Sequence, residues 1–287
     1  MARNAQAETQ RNLAFARSKD GTQIAFERTG SGPPLVIVGG ALADRNGGKP
    51  LAAKLSDRFT VYMYDRRGRG DSGDTKPYAV AREIEDLEAI IEQAGNQANV
   101  YGVSSGAALA LQSAAQLGPA KIAKIAVYDT PYGQSQQDFE KQKRGVNQRV
   151  RDGQPGDAAE FFFSAIGTPP PALEKMKTSP EWVGMQKIDF TLTYDYEVLG
   201  DGQVPDKVKQ ISVPTLVMTG EKSIPFMQPA ADRIAQLIPG AQRKTLPGQA
   251  HQAAPEVVVP LLIQFFDASG TASARSESAA RASIDGK

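Results

Sequence analysis

Val100-Tyr101-Gly102-Val103-Ser104-Ser105-Gly106 is an apolar run that leads, through Gly-x-Ser-x-Gly, into the small residues Ala107-Ala108-Leu109-Ala110. This pattern between a strand and a helix is typical of a sharp turn that holds a serine nucleophile above a sheet. Such a turn strains the serine backbone and leaves no room for side chains at the flanking glycines. The stretch therefore predicts a strand, a turn with Ser104 at its tip, and a helix.

The composition is that of one medium-sized globular protein. A chain of 287 residues with 40% hydrophobic content can bury one large core. The formal net charge of +1 does not favour a nucleic-acid partner. With no cysteine and one histidine, disulfides and thiolate metal sites are excluded, and we expect neither a metal nor a cofactor. The polar first twelve residues and the lack of an apolar run of ~20 residues predict a cytoplasmic protein without a membrane span.

Strand and helix patterns alternate along most of the chain. Two short runs flank the tight-turn dipeptide Asp20-Gly21, and later runs are apolar enough to be buried on both faces. The alternation predicts an α/β fold, with a mostly parallel sheet and helices on both of its faces. The predicted strands are 13–18, 22–28, 35–38, 59–64, the strand before Ser104, 122–128, 214–220 and 242–246, and predicted helices include 79–94, 229–238 and 255–266.

A different pattern interrupts this alternation between residues 132 and 205. Polar helical pieces, three consecutive prolines and clustered aromatic residues occur there. We interpret 132–205 as a helical cap inserted between two parts of one core, 13–131 and 206–268. Segments 1–12 and 269–287 contain few residues that could be buried, so a flexible N-terminus and a disordered tail are expected.

Residues able to carry out chemistry follow the predicted strands. Because parallel sheets place their sites at the carboxyl ends of their strands, these residues are expected to converge. A serine hydroxyl becomes a good nucleophile when an imidazole accepts its proton, and His251 is the single imidazole of the chain. If Ser104 is catalytic, His251 is its base. The alternative is that His251 is an ordinary loop histidine.

Several motifs together resemble the α/β-hydrolase superfamily over roughly residues 13–268. They are Gly39-Gly40, the loop Asp65-x-Arg67-Gly68-x-Gly70-x-Ser72, the serine turn at 102–106, and a histidine after the last strand. The turn at 128–131 and the sequence before the histidine further resemble a bacterial subgroup of largely uncharacterised hydrolases.

The resemblance implies a role for each matching residue. Ser104 would be the nucleophile and His251 the base, while the backbone N–H groups of Ser105 and Ala41 would bind the oxyanion. Many members of the superfamily have a histidine at the position of Gly39, but backbone donors do not depend on that side chain.

The acid that orients the histidine is the open part of this prediction. In many members it follows the strand expected here at 214–220, but this chain has Ser223 at the corresponding position. Asp129 follows the neighbouring strand and is our first candidate, with Glu221 in reserve. A turn-capping role beside Thr130-Pro131 is the alternative for Asp129.

The predicted activity is that of a serine hydrolase, which cleaves a small, fairly apolar ester or lactone through an acyl-enzyme. Trp182 and Gly40 are candidates for substrate contact, although Trp182 would equally suit the core of the cap. A cofactor-free perhydrolase or acyltransferase, and a non-catalytic ligand receptor with the same fold, are the alternatives. A dehalogenase is disfavoured because it needs an aspartate where Ser104 stands.

Two further patterns have simpler interpretations. The sequence Gly68-x-Gly70-x-x-Gly73 matches a dinucleotide fingerprint, but residues 74–78 separate it from the next helix, so we expect no such cofactor. Four acidic residues of helix 79–94 are expected on its solvated face. They are Glu83, Glu85, Asp86 and Glu88.

Overall fold

The sheet of the protein has the predicted mixed, mostly parallel architecture. The computed structural model describes residues 13–267, so the predicted flexible N-terminus 1–12 and the tail 269–287 lie outside the described residues. Within them the strand order is β1-β2-β4-β3-β5-β6-β7-β8. The strands are β1 (Ala14–Arg17), β2 (Gln23–Thr29), β3 (Pro34–Val38), β4 (Thr60–Tyr64), β5 (Ala98–Val103), β6 (Ile122–Tyr128), β7 (Thr215–Gly220) and β8 (Gln242–Leu246).

Strand β2 is antiparallel to both of its neighbours, β1 and β4, and the other pairs are parallel. The hairpin expected at Asp20-Gly21 is thus present at one edge. The helices are α1 (Lys49–Leu55), α2 (Val80–Gln93), α3 (Ser105–Leu117), α4 (Gln136–Asp152), α5 (Asp157–Ala165), α6 (Pro170–Lys177), α7 (Pro180–Ile188), α8 (Leu192–Leu199), α9 (Met227–Leu237) and α10 (Pro255–Asp267).

Two apolar cores cover the two faces of the sheet. Along β3, Val36 and Val38 belong to one core, whereas Leu35 and Ile37 belong to the other, because successive side chains of a strand point to opposite faces. Helices α2, α3 and α9 cover the first face, and α1 and α10 cover the second. Helices on both faces are therefore confirmed.

Helices α4 to α8 lie between β6 and β7 in the chain, in the segment where a helical insertion is predicted. They contain aromatic contacts of their own, with ring centroids 5.5 Å apart for Phe139 and Tyr196 and 6.3 Å apart for Phe163 and Trp182. Their buried residues are continuous with the core on the α3 side of the sheet. The division of the chain into a core and a cap at 132–205 stays a prediction.

The helices of residues 13–267 include none with the length and apolar character needed to cross a bilayer.

Candidate active site

Ser104 occupies a strained turn between β5 and α3. Its backbone has φ 56° and ψ −130°, a conformation that non-glycine residues rarely adopt. A Cβ on Gly102 would lie 2.6 Å from the Gly106 carbonyl oxygen, and a Cβ on Gly106 would lie 2.4 Å from the carbonyl oxygens of both Val38 and Gly39. Both glycines are therefore required by close backbone packing, as the sequence pattern predicts.

Hydrogen bonds at the ends of the strands bring the site residues to one edge of the sheet. The Ser104 N–H donates to the Tyr128 carbonyl (3.0 Å), and the Asp129 N–H donates to the Met218 carbonyl (3.0 Å). These bonds continue the β5–β6 and β6–β7 pairing by one residue. Ser104 and Asp129 consequently lie at the carboxyl ends of adjacent strands.

His251 lies between these two residues. Its Nε2 is 3.2 Å from Ser104 Oγ, and its Nδ1 is 3.1 Å from Asp129 Oδ2. The histidine side chain is 29% exposed, whereas the aspartate is fully buried. In this arrangement the ring can accept a proton from the hydroxyl on one side while the carboxylate fixes its orientation on the other.

The buried carboxylate of Asp129 has three hydrogen-bond partners. Oδ1 accepts from the Gly220 N–H (3.1 Å), and Oδ2 accepts from the Ser223 hydroxyl as well as facing the His251 ring. A buried charge needs such partners, because unpaired burial is costly. Ser223, at the position where the resemblance to the superfamily led us to look for the acid, donates to the acid that follows the neighbouring strand.

Glu221 occupies a different environment. Its carboxylate accepts a hydrogen bond from the Gly248 N–H (2.7 Å), and the residue is exposed. Within residues 13–267 it makes no hydrogen bond to His251. Of the two candidate acids, the structure brings Asp129 to the imidazole.

The two residues proposed to bind an oxyanion flank Ser104. Gly40 lies against the nucleophile, since a Cβ on Gly40 would be 2.9 Å from Ser104 Cβ, and Ala41 follows it. Ser105 is the first residue of α3. In the described part of the chain, neither the Ala41 nor the Ser105 backbone N–H donates to a protein acceptor. A role of these two donors in binding an oxyanion stays a prediction.

Trp182 lies in α7 and is 6% exposed. It packs on Phe163 and belongs to the apolar core shared by helices α4 to α8. A role in substrate contact for Trp182 and Gly40 stays a prediction.

A buried cluster of ion pairs supports the turn at Gly39-Gly40, and we call it the arginine cluster: Arg66, Arg69, Glu83 and Asp195. Arg66 forms two bonds of 2.7 Å with Glu83 and one of 2.8 Å with Asp195. Arg69 bonds to both oxygens of Asp195, at 2.9 Å each. Burial raises the pKa of Asp195 and of Glu83, but the neighbouring arginines outweigh burial and keep both pKa values below the ordinary range.

The buried ion pairs of the loop after β4 correct one expectation and add one residue. Glu83 and Asp86 were expected on a solvated face, but both are buried, because they pair with Arg66 and Arg67. Asp195 was not predicted at all. The available signal was the triplet of arginines after a buried strand, which requires buried carboxylates nearby.

Metal binding has no support in the described residues. Between residues 13 and 267, no group of three or more histidine, aspartate or glutamate side chains is arranged to hold an ion.

The site consists of a serine, a histidine and a buried aspartate in contact at the carboxyl edge of a mostly parallel sheet. This arrangement is typical of α/β proteins with a hydrolase-type site. The family model described as "Alpha/beta hydrolase family" matches residues 35–261. This match spans most of the chain, so the protein belongs to the alpha/beta hydrolase family.

Individual relatives agree with this assignment. The crystal structure of an alpha/beta hydrolase from Sphaerobacter thermophilus is 46% identical, with a TM-score of 0.81, and the alignment covers 88% of this chain and 100% of that one. The chain is also similar to 2-(acetamidomethylene)succinate hydrolase from Mesorhizobium japonicum, at 24% identity over 83% of this chain and 90% of that protein. An uncharacterized hydrolase, YraK, from Bacillus subtilis is 33% identical over 95 residues, which span 32% of this chain and 35% of that protein.

Proposed function

We propose that the protein is a serine hydrolase that cleaves a small, fairly apolar carboxylic ester or lactone. The observation that supports this most directly is the pair of contacts made by His251, 3.2 Å to Ser104 Oγ and 3.1 Å to Asp129 Oδ2. A serine with a base in reach and an acid behind that base is the arrangement needed for acyl transfer. Family membership and the hydrolase names of relatives also support hydrolysis as the reaction type.

The reaction proceeds in two halves. His251 Nε2 takes the proton of Ser104 as Oγ attacks the carbonyl carbon, and the resulting oxyanion accepts hydrogen bonds from the N–H groups of Ala41 and Ser105. Each such donor stabilises the transition state by roughly 3 kcal/mol. The imidazolium then protonates the leaving alkoxide, which departs as an alcohol. In the second half His251 deprotonates a water, which attacks the acyl-enzyme carbonyl. The imidazolium then returns this proton to Ser104 Oγ as the acyl–oxygen bond breaks, which releases the carboxylic acid and the free serine.

An ester or lactone is the least demanding substrate for such a site, because an alkoxide is a better leaving group than an amine anion. His251, the single imidazole of the chain, would supply the one proton that the alkoxide needs. The apolar preference rests on Phe161, Phe162 and Phe163 of α5, which pack against the core of helices α4 to α8 but are only partly buried, so part of their apolar surface is left for a substrate.

A series of p-nitrophenyl esters of increasing acyl length, together with a fluorophosphonate probe, tests this function. The wild type should hydrolyse the short esters and be labelled once per chain. Ser104→Ala should abolish labelling and lower kcat by about 10⁴-fold or more, because the nucleophile is removed. Ser164→Ala is the matched control, since Ser164 is an exposed serine of α5, and it should retain full activity.

Other results would change the proposal in distinct ways. Labelling that persists in Ser104→Ala would exclude Ser104 as the nucleophile. A folded wild type that reacts with neither probe nor esters would instead indicate a ligand receptor. Formation of peracid in the presence of hydrogen peroxide, at the expense of carboxylic acid, would identify a perhydrolase that uses the same acyl-enzyme.

A further inference from the structure

The Gly40–Ala41 peptide is held by a side chain on its far side. Arg69 Nη1 donates to the Gly40 carbonyl oxygen at 2.6 Å. That carbonyl belongs to the same planar peptide unit as the Ala41 N–H, and in a trans peptide the two groups point in opposite directions. Fixing the carbonyl therefore fixes the direction in which the Ala41 N–H points. A charged donor on the carbonyl also polarises the peptide and makes its N–H a stronger donor.

Arg69 is itself held by Asp195. The two form bonds of 2.9 Å from Arg69 Nη2 to both carboxylate oxygens. Arg69 is buried, so its orientation depends on protein partners rather than on water. The arginine thus uses one nitrogen for the carboxylate and the other for the Gly40 carbonyl.

Asp195 also reaches the second proposed oxyanion donor. The Ser105 hydroxyl donates to Asp195 Oδ1 at 2.7 Å, and Arg66 donates to the same oxygen at 2.8 Å. Arg66 in addition lies 3.4 Å from the Gly39 carbonyl oxygen. One carboxylate with 4% side-chain exposure therefore contacts Ser105 directly and the Gly40 carbonyl through Arg69.

This carboxylate comes from the segment between β6 and β7. Asp195 belongs to α8, whereas the two arginines follow β4 and Ser105 begins α3. The bonds of Asp195 to Arg66 and Arg69 join residues 129 and 126 positions apart in the chain. The position of α8 is therefore linked to the geometry of both donors.

We propose that Asp195 and Arg69 are positioning residues that set the direction of the Ala41 N–H and the placement of Ser105, and so connect α8 to oxyanion binding. This inference rests on the proposed function, because it requires an oxyanion to form beside Ser104. Neither side chain touches the reacting atoms. Their effect is exerted through the two backbone donors, and it is strongest where charge develops on the substrate oxygen.

The test compares a ligand that forms an oxyanion with one that does not. An aryl trifluoromethyl ketone adds to Ser104 and places an oxyanion against the donors, whereas the corresponding secondary alcohol has the same shape without that charge. Asp195→Asn should lower kcat by about tenfold or more and weaken the binding of the ketone by a similar factor. This effect is smaller than that of losing a whole oxyanion donor. KM and the affinity for the alcohol should change by less than about threefold.

A second variant and a control separate positioning from general damage. Arg69→Lys keeps the buried cation but has one nitrogen where Arg69 uses two, so it should show the same selective loss even if Asp195→Asn fails to fold. Asp74→Asn is the matched control. Asp74 accepts a hydrogen bond at 2.9 Å from Tyr194, the neighbour of Asp195 in α8, but it does not contact the turn at Gly39-Gly40. It should leave kcat and both affinities unchanged.

Three other results would contradict the positioning role, and one of them would also contradict the proposed function. If the wild type is active and the folded variants bind the ketone as tightly as the wild type does, the positioning role is wrong while the proposed function stands. If the variants lose affinity for the ketone and for the alcohol equally, Asp195 and Arg69 shape the pocket and do not position the donors. A wild type that reacts with neither esters nor ketone would overturn both proposals.

Discussion

Asp129 combines a strained backbone with a fully buried charge. Its φ of 50° is in the left-handed region, which aspartate tolerates better than most residues do. The conformation turns the carboxylate toward Gly220, Ser223 and the His251 ring. The preceding residue acts on the same loop, because the Tyr128 hydroxyl donates to the Ala250 carbonyl beside His251. Two successive residues at the end of β6 therefore hold the histidine.

Asp129→Asn should lower kcat for a p-nitrophenyl ester by about 10³- to 10⁴-fold, because the amide no longer stabilises the imidazolium and favours the wrong ring tautomer. Steady-state kinetics at neutral pH measures the effect. Fluorophosphonate labelling should become slow but still occur at Ser104.

Glu221→Gln is the matched control for that prediction. Glu221 is exposed and bonded to the Gly248 N–H, so its removal should change kcat by less than about threefold. If Glu221→Gln were the more damaging substitution, the acid would have been assigned to the wrong strand.

The serine turn at 102–106 and the turn at Gly39-Gly40, which follows β3, pack against each other as one unit. Gly106 in α3 packs directly on the carbonyl oxygens of Val38 and Gly39, so the nucleophile and the proposed donor Ala41 keep a fixed separation. A side chain at position 106 would force these two backbone segments apart.

Gly106→Ala should therefore lower the free energy of unfolding by about 2 kcal/mol or more, since a Cβ 2.4 Å from two backbone oxygens cannot be accommodated without movement. Urea denaturation followed by circular dichroism measures this change.

Gly184→Ala provides the comparison. Gly184 lies in α7, and a Cβ there would meet nothing within 4 Å, so alanine should be neutral or stabilise by up to about 1 kcal/mol. Equal destabilisation by both substitutions would show that the contact at Gly106 is not what makes it sensitive.

The elements differ in how well the sequence predicts them. Strands such as β3 and β7 are buried on both faces, so an apolar run bounded by glycine or proline marks them almost to the residue. Helix α1 was not predicted, because seven residues with two buried side chains give little periodic signal. Ser104, His251 and Asp129 follow strands, and topology alone brings them to one edge.

Asp195 and the acids of α2 show what sequence patterns leave out. Glu83 and Asp86 occur in a helix with a clear apolar stripe, and charged residues beside such a stripe are ordinarily solvated. Their burial depends on arginines from the loop after β4, and that of Asp195 on partners more than 120 positions away. Pairings of this kind depend on tertiary packing, which no local pattern encodes.

Across the protein, buried ion pairs are concentrated around the loop after β4. Arg45, Arg66, Arg67 and Arg69 are all buried and each pairs with at least one acid. Replacing a buried pair by apolar residues is often neutral for stability, whereas removing one partner is costly. The stability of the protein should consequently depend on the protonation of these acids.

Asp86 and Asp20 are the two carboxylates that bind Arg67, and their pKa values are shifted in opposite directions. Burial raises the pKa of Asp86 to about 6 despite the attraction of Arg67. Burial also raises the pKa of Asp20, but hydrogen bonds from Thr22 and Arg67 outweigh it and lower that pKa to about 2. The unfolded reference for both is about 3.9.

The direction in which each carboxylate changes the stability with pH follows from the number of protons that it binds in the folded and in the unfolded state. Between about pH 4 and 6 Asp86 is protonated in the folded state and ionised in the unfolded state, so its contribution to stability is present below pH 4 and is lost as the pH rises to 6. Asp20 contributes stability above about pH 4, and this contribution is lost as the pH falls toward 2.

Urea denaturation of the wild type, Asp86→Asn and Asp20→Asn at pH 3, 5 and 7 measures both effects, because groups shared by the proteins cancel in the differences. From pH 5 to 7 the stability of the wild type relative to Asp86→Asn should fall by about 1 kcal/mol, while its stability relative to Asp20→Asn stays constant. From pH 5 to 3 its advantage over Asp20→Asn should shrink. A wild type that gained stability relative to Asp86→Asn between pH 5 and 7 would show that Arg67 outweighs burial at Asp86, and that this pair holds its charge without a penalty.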